Sequence, residues 1–131
     1  MGKRILALDD DPDILDVYAM ILSAEGYEVK TILSPDSLTN AIVTFNPDLL
    51  LLDIQLGSGT NGLELCKVLK ASSLTAHIPI IMVSSHESIY SAVSDYGAND
   101  IVLKPFDIAT LIEKVDDFLL GKVIPIGRRS A

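Results

Sequence analysis

The sequence carries a single cysteine, Cys66, among 131 residues, so no disulfide can close within the chain. Leu63 and Leu69 stand at helical spacing around it, which makes it a small core or boundary side chain rather than a nucleophile. Long apolar runs are also missing. None approaches the roughly 20 residues that a membrane-spanning helix requires. The opening Met1-Gly2-Lys3-Arg4, followed by Ile5-Leu6-Ala7-Leu8, has too short an apolar part for a secretory signal. Basic residues are scarce, ten Lys and Arg against 18 Asp and Glu, for a net charge of −8. That balance argues against direct binding to a nucleic-acid backbone. Together these absences lead to the expectation of a soluble, cytoplasmic protein with no membrane and no direct nucleic-acid partner.

What is present is apolar substance. Hydrophobic residues make up 49% of the chain, enough at this length for one domain around one core. The basic residues Lys122, Arg128 and Arg129 gather in a tail after Asp117 that holds no acid, so the body before it is more acidic still. The stretch around which the rest is arranged is Pro47-Asp48-Leu49-Leu50-Leu51-Leu52-Asp53-Ile54. Four leucines between a turn-like Asn46-Pro47 and a glycine-bearing loop predict a short strand buried on both faces. It ends in Asp53, a carboxylate at the rim of an apolar sheet. Taken alone that residue is a turn cap; left without a partner there it is costly, which calls for a cation, a metal or a chemical task.

The other segments repeat one theme. Ile5 to Leu8 is a short apolar strand that runs into Asp9-Asp10-Asp11-Pro12-Asp13, where Asp11 suits an N-cap and Pro12 the first helical turn. Ile14, Leu15, Tyr18, Ile21 and Leu22 then form an amphipathic stripe, stopped at Gly26. Tyr27 to Leu33 predicts a second strand, and Ser34-Pro35 opens a second helix through Leu38, Ala41, Ile42 and Phe45. After the leucine strand comes a loop, Gln55 to Asn61, and a third helix from Gly62 to Ala71. Ile78 to Val83 predicts a fourth strand, Ser88 to Tyr96 a fourth helix, and Asp100 to Leu103 a fifth strand closed by Lys104-Pro105-Phe106. Asp107 caps a fifth helix running to Leu119.

Five strand–helix repeats with apolar rather than alternating strands predict a parallel sheet covered on both faces, an α/β doubly wound fold. In such sheets the ligand site lies beyond the carboxyl ends of the strands. The residues there are Asp9 and Asp10 after the first strand, Asp53 after the third, Ser84 after the fourth and Lys104 after the fifth. Each has an ordinary reading: helix-start acids, a helix cap, a surface lysine. Jointly they form a site. Three carboxylates on one rim repel and are stable together with a hard divalent cation. Oxygen ligands without His or Cys point to Mg²⁺ rather than zinc. A hydroxyl and an ammonium opposite the metal suit a phosphoryl group received on Asp53.

With those residues in place the chain resembles the receiver domains of two-component response regulators. The matching stretches are Ile5-Leu6-Ala7-Leu8-Asp9-Asp10-Asp11-Pro12-Asp13, Pro47-Asp48-Leu49-Leu50-Leu51-Leu52-Asp53, Ile80-Ile81-Met82-Val83-Ser84 and Lys104-Pro105-Phe106. The resemblance covers residues 4 to 120 and implies a flavodoxin-like fold of five helices and five strands in the order 2-1-3-4-5. It implies that Asp53 accepts phosphate from the phosphohistidine of a sensor histidine kinase or a histidine phosphotransfer protein. By the same pattern Asp10 binds Mg²⁺ directly, Asp9 acts mainly through water, and Gln55 adds its backbone carbonyl. Ser84 bonds the phosphoryl group, Lys104 pairs with it, and the Lys104-Pro105 bond is cis. The chain is then no turnover enzyme but a phospho-acceptor with intrinsic autophosphorylation and autodephosphorylation.

Departures from the family pattern are informative. Gly57 stands where a proline is frequent, and the stretch from there to Gly62 is one residue longer than the commonest form. Ile101 replaces the usual aromatic three residues before the lysine, and Gln55 and His86 occupy variable positions associated with phosphoryl lifetime. An Mg²⁺-dependent aspartyl phosphatase is a competing reading, but Gln55 stands where such enzymes carry a second acid. A phosphorylation-independent interaction module is the other, supported by Ile101. Residues 1–120 are expected to be the receiver, with 121–131 a C-terminal tail or the start of a linker to an output domain; otherwise the output is a separate protein.

Overall fold

The computed structural model describes residues 2–57 and 59–121. Strand and helix alternate as β1 (Arg4–Leu8), α1 (Pro12–Ala24), β2 (Glu28–Ile32), α2 (Leu38–Phe45), β3 (Leu49–Leu52), α3 (Gly62–Ala71), β4 (Ile80–Ser84), α4 (Ala92–Tyr96), β5 (Asp100–Leu103) and α5 (Ile108–Leu119). All strand pairs are parallel and the sheet order is β2-β1-β3-β4-β5. This is the flavodoxin-like order anticipated from the sequence.

The leucine run shows why the sheet must be covered twice. Successive side chains of a strand point to opposite faces. Leu50 and Leu52 join Leu6, Leu8, Ile80 and Met82 in one core, sealed by side chains of α2, α3 and α4. Leu49 and Leu51 join Ile5, Ala7, Ile81 and Val83 in the other, sealed by α1 and α5. Both sets are buried, and each leucine removed from water contributes about 2 kcal/mol. β2 is different. It lies at the sheet edge and exposes Glu28, Lys30 and Thr31, charge and polarity that discourage a further strand from pairing there.

Helix starts follow local chemistry. Asp11 accepts from the Asp13 N–H at 2.9 Å with Pro12 in the first turn. Asn61 accepts from Leu63 N–H at 2.8 Å, and Asp107 from Ala109 N–H at 2.8 Å. Two segments differ from expectation. The predicted fourth helix is 3₁₀ over Glu87–Ser91 and α-helical only over Ala92–Tyr96. Here the Ser91 hydroxyl bonds the Ser88 carbonyl at 2.8 Å, and His86 Nδ1 accepts from Ser88 N–H at 3.1 Å. Such side-chain bonds to nearby backbone compete with regular helix geometry. The second helix likewise begins as a 3₁₀ turn, Pro35–Ser37. The expected tail or linker, with Lys122, Arg128 and Arg129, lies outside the described residues.

Cys66 is fully buried against α4, its thiol 3.6 Å from the Tyr96 carbonyl oxygen. Burial pushes that thiol up to about 11 from its ordinary value of 9.0. The unfolded chain therefore releases this proton first as pH rises, and the folded state loses stability between those two values. Melts across that window are expected to show a steeper alkaline loss for the wild type than for Cys66→Ala. Equal slopes would show that the thiol does not ionise differently in the fold.

Candidate functional site

The sheet itself aligns the candidate residues. Hydrogen bonds continue just past the strand ends: Asp9 N–H donates to Ile32 O at 3.3 Å, Asp53 N–H to Leu8 O at 3.2 Å, and Lys104 N–H to Ser84 O at 3.1 Å. Residues far apart in sequence are thereby brought to one rim. Asp9, Asp53 and Ser84 are buried there, while Asp10 is exposed at its edge.

Carboxylate oxygens of Asp9, Asp10 and Asp53 all lie within 4.8 Å of one another. The Lys104 ammonium reaches across them, 2.7 Å from Asp9 Oδ2 and 3.1 Å from Asp53 Oδ2. The second oxygens are held by backbone: Asp9 Oδ1 accepts from Asp11 N–H at 3.0 Å, and Asp53 Oδ1 from Ile54 N–H at 2.7 Å. Ser84 Oγ accepts from His86 N–H at 3.1 Å. Burial raises the Asp9 carboxyl above its usual range, opposed by the Lys104 hydrogen bond and the Asp11 N–H and reinforced by the charge of Asp53. For Lys104, burial lowers the ammonium, but the Asp9 hydrogen bond and the two carboxylate charges outweigh it and the net shift is upward. One ammonium, paired with Asp9 and Asp53, thus stands among three carboxylates, a surplus of negative charge in an all-oxygen donor set. That is the chemistry of a site for a hard divalent cation.

Beyond Lys104 the chain packs back against the core through Phe106. The Lys104-Pro105 bond is cis, and Phe106 stacks on the buried Tyr18 ring at 5.9 Å between centroids, 12° from parallel. Tyr18 reads in sequence only as a stripe residue of α1; its stacking partner is 88 positions away, beyond any local periodicity. The other residue with a larger part than its sequence signal is Gly62, where α3 begins. A Cβ there would lie 1.8 Å from the carbonyl oxygen of Asp53, and Gly62 N–H donates to Ile54 O at 2.7 Å. The helix is docked onto the backbone of the candidate acceptor. A glycine straight after a capping asparagine was the one hint available.

Gln55 is exposed and bridges Asn61 across the loop between β3 and α3. With His86 and the loop residues Gly57, Gly59 and Thr60 it lines an open hollow of about 330 Å³ beside the rim. His86 Nδ1 is occupied by Ser88, 2.7 Å from its hydroxyl. Ile101 is half-buried against the core under α4.

The family model for the response regulator receiver domain matches residues 5–116. The chain belongs to that family. Among curated relatives, this receiver is 35% identical over 117 residues to the DNA-binding response regulator MtrA of Mycolicibacterium smegmatis, covering 88% of the chain and 50% of that protein. It therefore spans half the length of this relative. Among solved structures, a putative response regulator from Chloroflexus aurantiacus superposes with a TM-score of 0.83 at 31% identity, covering 92% of this chain and 99% of that one. The receiver domain of NtrX from Brucella abortus gives 0.79 at 38% identity, covering 90% and 99%. No helix among the described residues is long and apolar enough to cross a membrane.

Proposed function

We propose that this receiver accepts a phosphoryl group on Asp53 in an Mg²⁺-dependent reaction, from the phosphohistidine of a sensor histidine kinase or histidine phosphotransfer protein. The observation that carries the reading is the single Lys104 ammonium shared between the buried Asp9 and Asp53 at the edge of a three-carboxylate cluster. Asp9, Asp10 and Asp53, with the backbone carbonyl of Gln55, would hold the metal. When bound, Mg²⁺ supplies neutralising charge for the phosphoryl oxygens. A carboxylate oxygen of Asp53 attacks phosphorus, the bond from phosphorus to the donor imidazole nitrogen breaks, and an acyl phosphate forms. Lys104 orients the carboxylate beforehand and pairs with the transferred oxygens afterwards, and Ser84 donates its hydroxyl to one of them. Positioning and charge compensation are most of what phosphoryl transfer asks of a protein.

On this reading the protein is a signalling acceptor that forms and hydrolyses its own acyl phosphate, not a turnover enzyme. Ser84 moving onto the phosphoryl group would bias the short 3₁₀–α segment from Glu87 to Tyr96 beside it. Residues 1–120 serve as the receiver unit, the following segment as tail or linker, and the output is a fused domain or a separate protein. The DNA-binding relatives favour a transcriptional output reached through another domain, in the cytoplasm, with no nucleic-acid contact by this unit itself.

The test is intact mass after incubation with acetyl phosphate, with and without Mg²⁺, beside Asp53→Asn. A metal-dependent gain of one phosphoryl group, lost in the variant, is the expected result. Lack of any gain in folded protein that binds Mg²⁺, with a kinase phosphodonor failing as well, favours the phosphorylation-independent module.

A further inference from the structure

Away from the rim, where α3 ends and the chain returns towards β4, one cation has no acid to pair with. Among the described residues the lysines are of three kinds. Lys104 and Lys114 are held by carboxylates, and Lys3, Lys30 and Lys67 are exposed to water. Lys70 is neither. It is half-buried, and among the described residues no carboxylate forms an ion pair with it. Its terminal nitrogen instead donates to the carbonyls of Ala76 and Ile78, at 3.0 and 2.9 Å.

The surroundings fix that nitrogen in place. The Lys70 stem lies against the turn that closes α4, where a Cβ on Gly97 would be 3.4 Å from Lys70 Cβ and 3.5 Å from Cγ. The two acceptor carbonyls belong to a turn tied by its own bonds. Ala76 N–H donates to Ser72 O at 2.8 Å, Ile78 N–H to Thr75 O at 3.0 Å, and the Thr75 hydroxyl to Leu69 O at 2.6 Å. An ammonium has three N–H groups, whereas a neutral amine has two and a lone pair. Two carbonyls satisfy the amine fully and leave the third N–H of the ammonium without a protein acceptor. Burial, opposed by the Cys66 sulfur, holds the Lys70 ammonium below its ordinary range, which raises the share of the form that carries the lone pair. A lysine desolvated in this way is an activated nucleophile.

We propose that Lys70 is an acylation site whose donors are small acyl phosphates. Such a donor has two electrophilic atoms. Its phosphorus suits a carboxylate oxygen, its carbonyl carbon an amine. The lone pair of the Lys70 nitrogen attacks the carbonyl carbon. The bond from that carbon to the phosphate oxygen breaks, the oxygen keeps the electron pair, inorganic phosphate leaves, and the nitrogen gives one proton to solvent. The product is a secondary amide with a single N–H. One of the Ala76 and Ile78 carbonyls therefore loses its donor, and an already acidic chain loses a positive charge. The step needs no metal and does not rest on the phosphoryl reading of the rim.

The experiment is incubation of the full chain with acetyl phosphate, without Mg²⁺, followed over time by peptide mapping of acetyl-lysine. The same reaction in urea and on Lys70→Arg runs beside it, and mass separates an acetyl from a phosphoryl product. The expected result is that Lys70 in the folded protein acetylates several-fold faster than Lys30 and Lys67. In urea, where every lysine is solvated alike, that lead disappears. Lys70→Arg keeps the charge without the reactive amine, and its total acetyl uptake falls by the Lys70 share. Equal rates at Lys70, Lys30 and Lys67 in the folded protein overturn the proposal. So does a lead for Lys70 that persists in urea, since local sequence rather than the fold would then set it.

Discussion

Gly62→Ala is expected to lower the stability of the protein by about 3 kcal/mol or more, roughly 10 °C in Tm, and to abolish phosphoryl uptake from small donors. The added Cβ would sit 1.8 Å from the Asp53 carbonyl oxygen, 2.8 Å from its carbon and 3.0 Å from Ile54 Cα. All three are backbone atoms of the candidate acceptor strand end, so no side-chain rotation relieves the overlap. Either α3 moves away and the Gly62-to-Ile54 hydrogen bond is lost, or Asp53 is displaced from Lys104. Gly26→Ala provides the contrast. Gly26 has φ +93 with nothing within 4 Å of a built Cβ, so its replacement costs only the left-handed backbone penalty of about 1–2 kcal/mol and leaves the rim intact. Urea melts of the two variants, with intact mass after acetyl phosphate, check the difference. Equal losses in both would show that α3 does not press on Asp53.

Lys104→Met should separate two roles of one charge. The ammonium is the cation that the buried Asp9 and Asp53 share, and it sits where Mg²⁺ must also compensate them. Without it the carboxylates are left with less positive charge, so Mg²⁺ affinity is expected to rise several-fold by simple electrostatics. Phosphoryl transfer nevertheless falls by about 100-fold or more, the usual cost of losing one aligned donor at a developing charge. In the absence of metal the variant is also less stable, by up to about 3 kcal/mol, because two buried acids lose their partner, and added Mg²⁺ recovers much of that loss. Titration calorimetry for Mg²⁺ and single-turnover phosphorylation at saturating metal measure the two effects. Weaker metal binding together with slower transfer would mean that Lys104 helps to build the cation site rather than competing at it.

These outcomes depend on different levels of information. The strands, the two-sided burial of β1, β3 and β4, and the rim position of Asp9, Asp10, Asp53, Ser84 and Lys104 were legible because each polar residue stands at the end of a short apolar run. The leucines of β3 are the clearest case. With alternate side chains buried in separate cores, no half-exposed strand fits them. Capping residues were legible for the same local reason, since Asp11 and Asp107 bond amides two residues on; the Asn61 cap of α3, read only as the end of a loop, was not.

What the sequence determined by itself, then, is whatever depends on neighbours within a turn or two: periodicity, caps, and which residue ends each strand. Only the tertiary structure decided which oxygens Lys104 reaches across 95 and 51 residues, and that α3 presses its first glycine against Asp53. It also decided that Glu87–Ser91 winds as 3₁₀ and that Val43, Val68 and Leu74 line one groove between α2 and α3. The physical reason is the same in each instance. Contacts between distant segments are set by how helices settle on a twisted sheet, and hydrophobic pattern specifies which face is buried without specifying which atoms meet.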